Sequence, residues 1–342
     1  MKKIHSNLDL AKLICALLVV IIHTAPLAEI APELNFFLVD VLARIAVPLF
    51  FVMSGFLLFR GMTYENGKLA PEKGNLHKIF RYCKRIAMLY LGWSFAYIII
   101  IKIPMWYSTG WWGTYVIKDA IVSILFAGTH YHLWYLLALF YAVPLAYFLQ
   151  RFLPRNFLPL IVAFLWICEC LRYSYAWLGA DRVALVQWIA QHIPVSFDAV
   201  FRAVPLILSG ALVARRQEKR SARCLASLAS LGFLLCVVEV YWLRSIAPGS
   251  QNYSYLVFTP FLVTFLLRFI LSVPSWTVNA DVTTMCRNIS TIVYCLHPMI
   301  IDLLVNWTEI NGLALWAVVT ALSAMIAFVI SRYQHNKKEV VK

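Results

Sequence analysis

The chain has 342 residues, 62% of them hydrophobic and only 13% charged, with a mean hydropathy of +0.76. Soluble domains are about half apolar and about a quarter charged, so there is too little polar surface here to coat a water-soluble globule. Soluble enzymes, disordered scaffolds and nucleic-acid-binding modules are excluded together, and the formal charge of +14 is read as membrane orientation rather than as nucleic-acid affinity.

A membrane helix needs about 20 mostly apolar residues. Ten stretches qualify: 8–28, 36–59, 79–101, 131–150, 156–173, 199–214, 222–243, 254–271, 289–305 and 312–331. The first begins after Lys2 and Lys3 and ends near Ala-Pro-Leu-Ala, as a secretory signal would. Its apolar run is too long for one, and it is expected to remain as a span. The run 114–127 is shorter: Ile117, Ile121 and Ile124 share a face while Lys118, Asp119 and Ser123 fall elsewhere, the pattern of an interfacial helix. The expectation is therefore an all-α, polytopic bundle of about ten transmembrane helices plus one interfacial helix. One membrane domain fills 1–342, multi-pass in the cell (inner) membrane, with the lipid bilayer as its first partner.

Basic residues orient it. With both termini cytoplasmic, 23 of the 30 lysines and arginines fall on the inner side, as the positive-inside rule requires. An eleventh crossing at 114–127 would invert every later loop. Of the eight cysteines, Cys15, Cys168, Cys170, Cys236 and Cys295 lie in apolar runs, and no CxxC, HExxH or GxxxxGK[ST] occurs. Neither a disulfide nor a metal is assigned.

Ionisable groups inside spans are costly and mark function. In the first span Lys12 and His23 are eleven residues apart, which returns them to nearly one face about 16 Å apart along the axis. Asp9 can pair with Lys12 at i,i+3, and snorkelling of Lys12 competes with a functional role. Asp40 and Arg44, four apart in the second span, also fall in the outer half, as do His130, His132, Glu169, Arg172, Asp198, Arg202, Glu239 and Asp302. His297 falls near mid-membrane. Together they make a polar vestibule facing outward, in which Asp198–Arg202 is read as a structural pair. On the inner side Arg81, Lys84 and Arg85 stand beside Arg60, Lys73 and Lys78. That cluster suits anionic lipid or a phosphate ligand. The outer loops carry Trp106, Tyr107, Trp111, Trp112, Tyr115, Tyr131, Trp134 and Tyr135, read as an interfacial belt in preference to stacking on a sugar ring.

The first span, LDLAKLICALLVVIIHT, resembles the opening helix of the acyltransferase family 3 membrane proteins, which carry a basic residue, ten others, then histidine. Here these are Lys12, where arginine is usual, and His23. RIAVPLFFVMSGFLLF from Arg44, HLWYLLALFYAV from His132 and IVYCLHPMI around His297 resemble later signatures, in the same order along nearly the whole chain. The resemblance implies transfer of an acyl group, often acetyl from acetyl-CoA, to a hydroxyl of an extracytoplasmic glycan or similar acceptor. The family's Arg-x-x-Arg donor element matches Arg85 at its second position, while Tyr82 stands at the first with Arg81 adjacent. IIHT, RIAVP and HLWY are also similar to a close branch, the membrane domain of vancomycin-resistance serine racemases, which is linked to serine uptake; its soluble racemase domain is not seen in these 342 residues.

On this reading cytoplasmic acyl-CoA, as co-substrate, is held by Lys12, Arg81, Lys84 and Arg85. His23 is the general base, since its unperturbed pKa lies near neutrality. Asp40 or Glu169 orients it, Arg44 stabilises the oxyanion, and His297 is a second base or an oxyanion donor. His130, His132 and Trp134 are expected to bind the glycan or small-molecule acceptor. The alternative is a transporter whose vestibule takes a zwitterion, with Arg44 on its carboxylate and Asp40 or Glu169 on its ammonium. A non-catalytic sensor or scaffold is the third class.

Overall fold

A computed structural model describes residues 6–111, 113–178, 198–216, 218–246, 253–277 and 279–340. Each of the ten apolar stretches contains a helix: α1 (Ser6–Thr24), α2 (Pro32–Phe59), α3 (Lys73–Ser108), α5 (Trp134–Phe152), α6 (Leu158–Arg172), α7 (Ala199–Ala214), α8 (Ala222–Ile246), α9 (Thr259–Ser272), α10 (Ala280–Trp307) and α11 (Gly312–Val340). Among the described residues, seven are long and apolar enough to cross a membrane: α1, α2, α3, α5, α8, α10 and α11 through Gln334. Helices α7 and α9 are apolar but shorter, and α6 has 15 residues. The interfacial stretch forms α4 (Thr114–Val122), continued by a π-helical turn over Ser123–Ala127.

Proline shapes three of these helices. A proline lacks the N–H that would bond four residues back, and its ring crowds that carbonyl. In α2, Pro48 is preceded by a π segment, Phe37–Leu42, and a 3₁₀ turn, Ala43–Ile45. Before Pro104 of α3 the chain is π-helical over Ile98–Lys102, and before Pro205 of α7 over Asp198–Ala203. Asp40 and Arg44 thus stand on the irregular part of α2, where a plain α-helix was expected.

The all-α expectation omits one small hairpin. Strands β1 (Tyr64–Glu65) and β2 (Lys68–Leu69) pair antiparallel. Asn66 and Gly67 both have positive φ, 48° and 75°, as a two-residue primed turn requires.

The chain divides into two compact units. One comprises 1–50, 220–226 and 266–342. Here α1 lies along α10, α10 along α11, and the irregular part of α2 packs on α1. Asn7 ties α1 to the residues after α9 by donating to the carbonyls of Val273 and Pro274 at 2.9 and 3.0 Å. The other unit comprises 51–219 and 227–265. There α3 packs on α5, and α7 on both α5 and α6. The end of α2 meets α7 through two glycines. A Cβ on Gly55 would lie 2.2 Å from the Ile207 carbonyl oxygen, and one on Gly210 2.0 Å from that of Val52, so the two backbones are in direct contact.

Candidate functional site

In the first unit His23 ends α1, and its ring stacks on that of His297 in α10, with centroids 5.4 Å apart and planes 28° apart. His23 is half-buried and His297 fully buried. His297 Nδ1 lies 2.8 Å from the Val293 carbonyl. A carbonyl only accepts, so Nδ1 carries the proton and the neutral ring keeps its basic lone pair on Nε2. Pro298 follows within the helix and, having no N–H, cannot itself donate to the carbonyl four residues back. Tyr294 itself packs between His297 and Phe50, at 6.3 and 6.0 Å.

Two further contacts lie in this unit. Lys12 Nζ meets Asp9 at 3.4 Å, as the i,i+3 spacing predicts. Arg44 meets Asp40 at 3.4 Å, with their side chains 34% and 25% exposed. This is a long contact that leaves much of both groups available. The Arg44 Nε is buried without a hydrogen bond among the described residues.

In the second unit Glu169 is 0% exposed. Arg202 reaches its Oε1 through Nε at 2.8 Å and a terminal nitrogen at 2.7 Å, and Arg172 approaches Oε2 at 3.6 Å. The expected partner of Arg202 was Asp198, whose side chain lies outside the described residues. The Arg202 guanidinium also sits over the rings of Tyr255, Trp134 and Tyr173, at 4.2, 4.5 and 5.3 Å. Such cation–π contacts strengthen when desolvated. Glu169 and Trp134, both singled out from sequence, are joined through this arginine.

His130 and His132 precede α5 and face each other through Nδ1 atoms 3.3 Å apart, so one donates and the other accepts. Tyr97 of α3 stacks on His130 at 4.5 Å and tilts against His132 at 5.1 Å. Glu239 accepts from the Tyr175 hydroxyl at 2.7 Å and the Val257 amide at 2.6 Å just before α9. Burial and the Glu239 carboxylate push the Tyr175 hydroxyl pKa upward.

Arg81, Lys84 and Arg85 are exposed on α3, with Arg81 bonded to His77 Nε2 at 2.7 Å. Tyr82 lies on the next face and is half-buried, so one turn of α3 separates an outward basic row from an inward tyrosine. Nearby, Arg215 lies 3.9 Å over the Tyr64 ring and donates to the Gly67 carbonyl at 2.8 Å. Tyr64 donates to Gln150 at 3.2 Å, and burial pushes its pKa up to about 12 against the pull of Arg215. Burial lowers that of Arg215.

With a histidine at the end of the first span stacked on a histidine of the Leu-His-Pro segment, the comparison with known proteins is decisive. Residues 5–332 match the acyltransferase domain family. The chain belongs to the acyltransferase family 3 membrane proteins. Curated relatives include two proteins named amino-acid racemase from Enterococcus faecalis. One is 31% identical over 172 residues, which is 50% of this chain and 22% of that protein; the other is 27% identical over 315 residues, 88% and 42% respectively. A serine/alanine racemase of Enterococcus gallinarum is 26% identical over 286 residues, 78% of this chain and 37% of that protein. The chain thus spans less than half the length of these relatives. No solved structure matches.

Sequence reasoning missed Tyr97, Tyr173 and Tyr255, which surround the polar groups but read as ordinary span or loop aromatics. It also missed the hairpin, whose Asn66-Gly67 pair is the strongest short hairpin signal. Among the described residues no group of three or more histidines, cysteines or acids converges as a metal site.

Proposed function

We propose that this family member is an O-acyltransferase with both termini cytoplasmic. It moves an acyl group, probed here as acetyl from acetyl-CoA, to a hydroxyl of an extracytoplasmic glycan or similar acceptor. The observation that supports this is the His23–His297 stack, since a titratable pair inside an apolar bundle is costly unless it works. His23 accepts the proton of the acceptor hydroxyl as its oxygen attacks the thioester carbonyl. The tetrahedral oxyanion develops against Arg44, whose contact to Asp40 is long. The carbonyl re-forms, the C–S bond breaks, and His23 returns the proton to the departing thiolate. Of the two roles open to His297, the base fits better. Its Nδ1 proton is committed to Val293, so the neutral ring offers a lone pair rather than a donor. Asp40 orients the site; the carboxylate of Glu169 is shared by two guanidiniums. The exposed row Arg81, Lys84 and Arg85 in one unit suits a polyanionic donor, as does Lys12 in the other, and along α1 the rise from Lys12 to His23 is about 16 Å. His130, His132 and Trp134 bind the acceptor.

The test gives purified protein radiolabelled acetyl-CoA and membrane glycans. Label on glycan should fall roughly 10²–10⁴-fold in His23→Ala, the usual worth of a general base. The racemase names of the relatives favour a second reading, an amino-acid transporter of serine type, with Arg44 on the carboxylate and Asp40 on the ammonium of its substrate. Serine uptake into vesicles without any glycan label would replace the first reading by the second.

A further inference from the structure

The face of α1 opposite His23 borders a cavity of about 490 Å³ that the proposed chemistry does not use. Its walls come from α1, from Leu42 to Leu49 of α2, and from α9 with the residues after it, all within the first unit. On α1 it is lined from Asn7 to Leu18. Near 100° per residue, those positions cluster well over a quarter-turn from the row that carries Lys12 and His23. The lining is hydrocarbon apart from Asn7, the Cys15 thiol and the Trp276 indole. Asn7 is committed to the carbonyls of Ile270, Val273 and Pro274 and to the Trp276 amide, and the indole N–H to the Ser6 carbonyl at 2.9 Å. Beyond one weak thiol such a wall offers a ligand no directed hydrogen bond, so a polar or charged molecule would lose its hydration without recompense.

Its dimensions narrow the ligand further. From Asn7 to Leu18 the groove runs about 16 Å, against about 15 Å for the hydrocarbon of one leaflet. It begins at the amino-terminal end of α1 and stops just past the middle of that 19-residue helix. Trp276, 46% exposed, marks the end beside the amino terminus of α1, the level where indoles settle beside headgroups. Along the side, Ile14 is 50% and Val273 37% exposed, so the groove opens sideways to the bilayer rather than to water. We propose that it holds one fatty-acyl chain of a phospholipid from the leaflet on the amino-terminal side, its headgroup beside Trp276. This needs only that the chain spans a membrane and does not depend on acyl transfer.

The test reconstitutes the full chain in vesicles containing a phospholipid with a photoactivatable diazirine along its acyl chain, and maps adducts by mass spectrometry. Adducts are expected on the α1 and α9 walls of the groove, in a saturable manner, and unchanged in His23→Ala. Ala11→Phe and the milder Leu10→Phe narrow the groove and should lower labelling there about tenfold, the loss from excluding roughly two methylenes, while labelling of outward Phe95 on α3 stays constant. Leu10 is half-buried, so the second variant tests the idea even where the first does not fold. Equal labelling in the filled variants, no labelling on the groove walls, or cross-links there to a second copy of the chain would each overturn the assignment.

Discussion

The glycine contact between α2 and α7 makes a sharp prediction. A methyl group on Gly210 would stand 2.0 Å from the Val52 carbonyl oxygen and 2.7 Å from the Phe56 nitrogen. Ordinary contact begins near 3.4 Å, so the two backbones must part by more than an ångström. Both atoms belong to a helix backbone, and no rotamer change can relieve the clash. Overpacking of this kind costs about 1–3 kcal/mol, occasionally more, well above the gain of roughly 0.5–1 kcal/mol that alanine brings to a helix interior. Gly210→Ala should therefore lower the Tm of the purified protein in detergent, followed by size-exclusion after heating. Gly92→Ala, in α3 with nothing within 4 Å of the added atom, should leave Tm unchanged or raise it. Because Gly55 and Gly210 open the same gap, the double variant should lose less than the sum of the singles. An unchanged Tm in Gly210→Ala, or an equal loss in Gly92→Ala, would refute the packing argument.

Other outcomes are expected. Glu169→Ala leaves the buried Arg202 without its carboxylate and should destabilise the protein by about 3–5 kcal/mol, while Glu169→Gln with Arg202→Met should recover much of that in the same thermal assay. Gly67→Val places a β-branched residue at φ 75° and should loosen the hairpin, seen as faster proteolysis between Tyr64 and Leu69. Because burial holds the Tyr64 pKa at about 12 against an ordinary 10, the folded state keeps a proton that the unfolded state releases. Stability is complete below about pH 10 and falls as pH rises from 10 to 12; alkaline titration of Tyr64→Phe should lack that component, and an unchanged alkaline profile would count against the buried hydroxyl.

Much of this fold was legible from local content. The ten apolar stretches each contain a helix because the transfer energy of a span is a sum over its own residues. The Lys12–Asp9 contact follows from helical spacing alone, while Arg44 and Asp40 meet across the irregular part of α2. The π segments were less legible: three lie ahead of a proline, at Pro48, Pro104 and Pro205, but a proline can also bend or end a helix, and the fourth, Ser123–Ala127, has none after it. Arg202 shows what spacing does not reveal: besides the i,i+4 option of Asp198, whose side chain lies outside the described residues, it binds Glu169, 33 residues away, and is capped by three aromatic rings.

Sequence by itself determined that the chain is a membrane protein, where its apolar stretches lie, and which few polar residues they carry. These are properties of composition and of neighbours along the chain. Only the tertiary structure decided which polar groups meet. His23 and His297 are far apart in sequence and stack because α1 packs along α10. The tautomer of His297 is set by a carbonyl one turn earlier, but the partner of its ring is set by a different helix. Local spacing specifies which face a side chain occupies; packing supplies what that face touches.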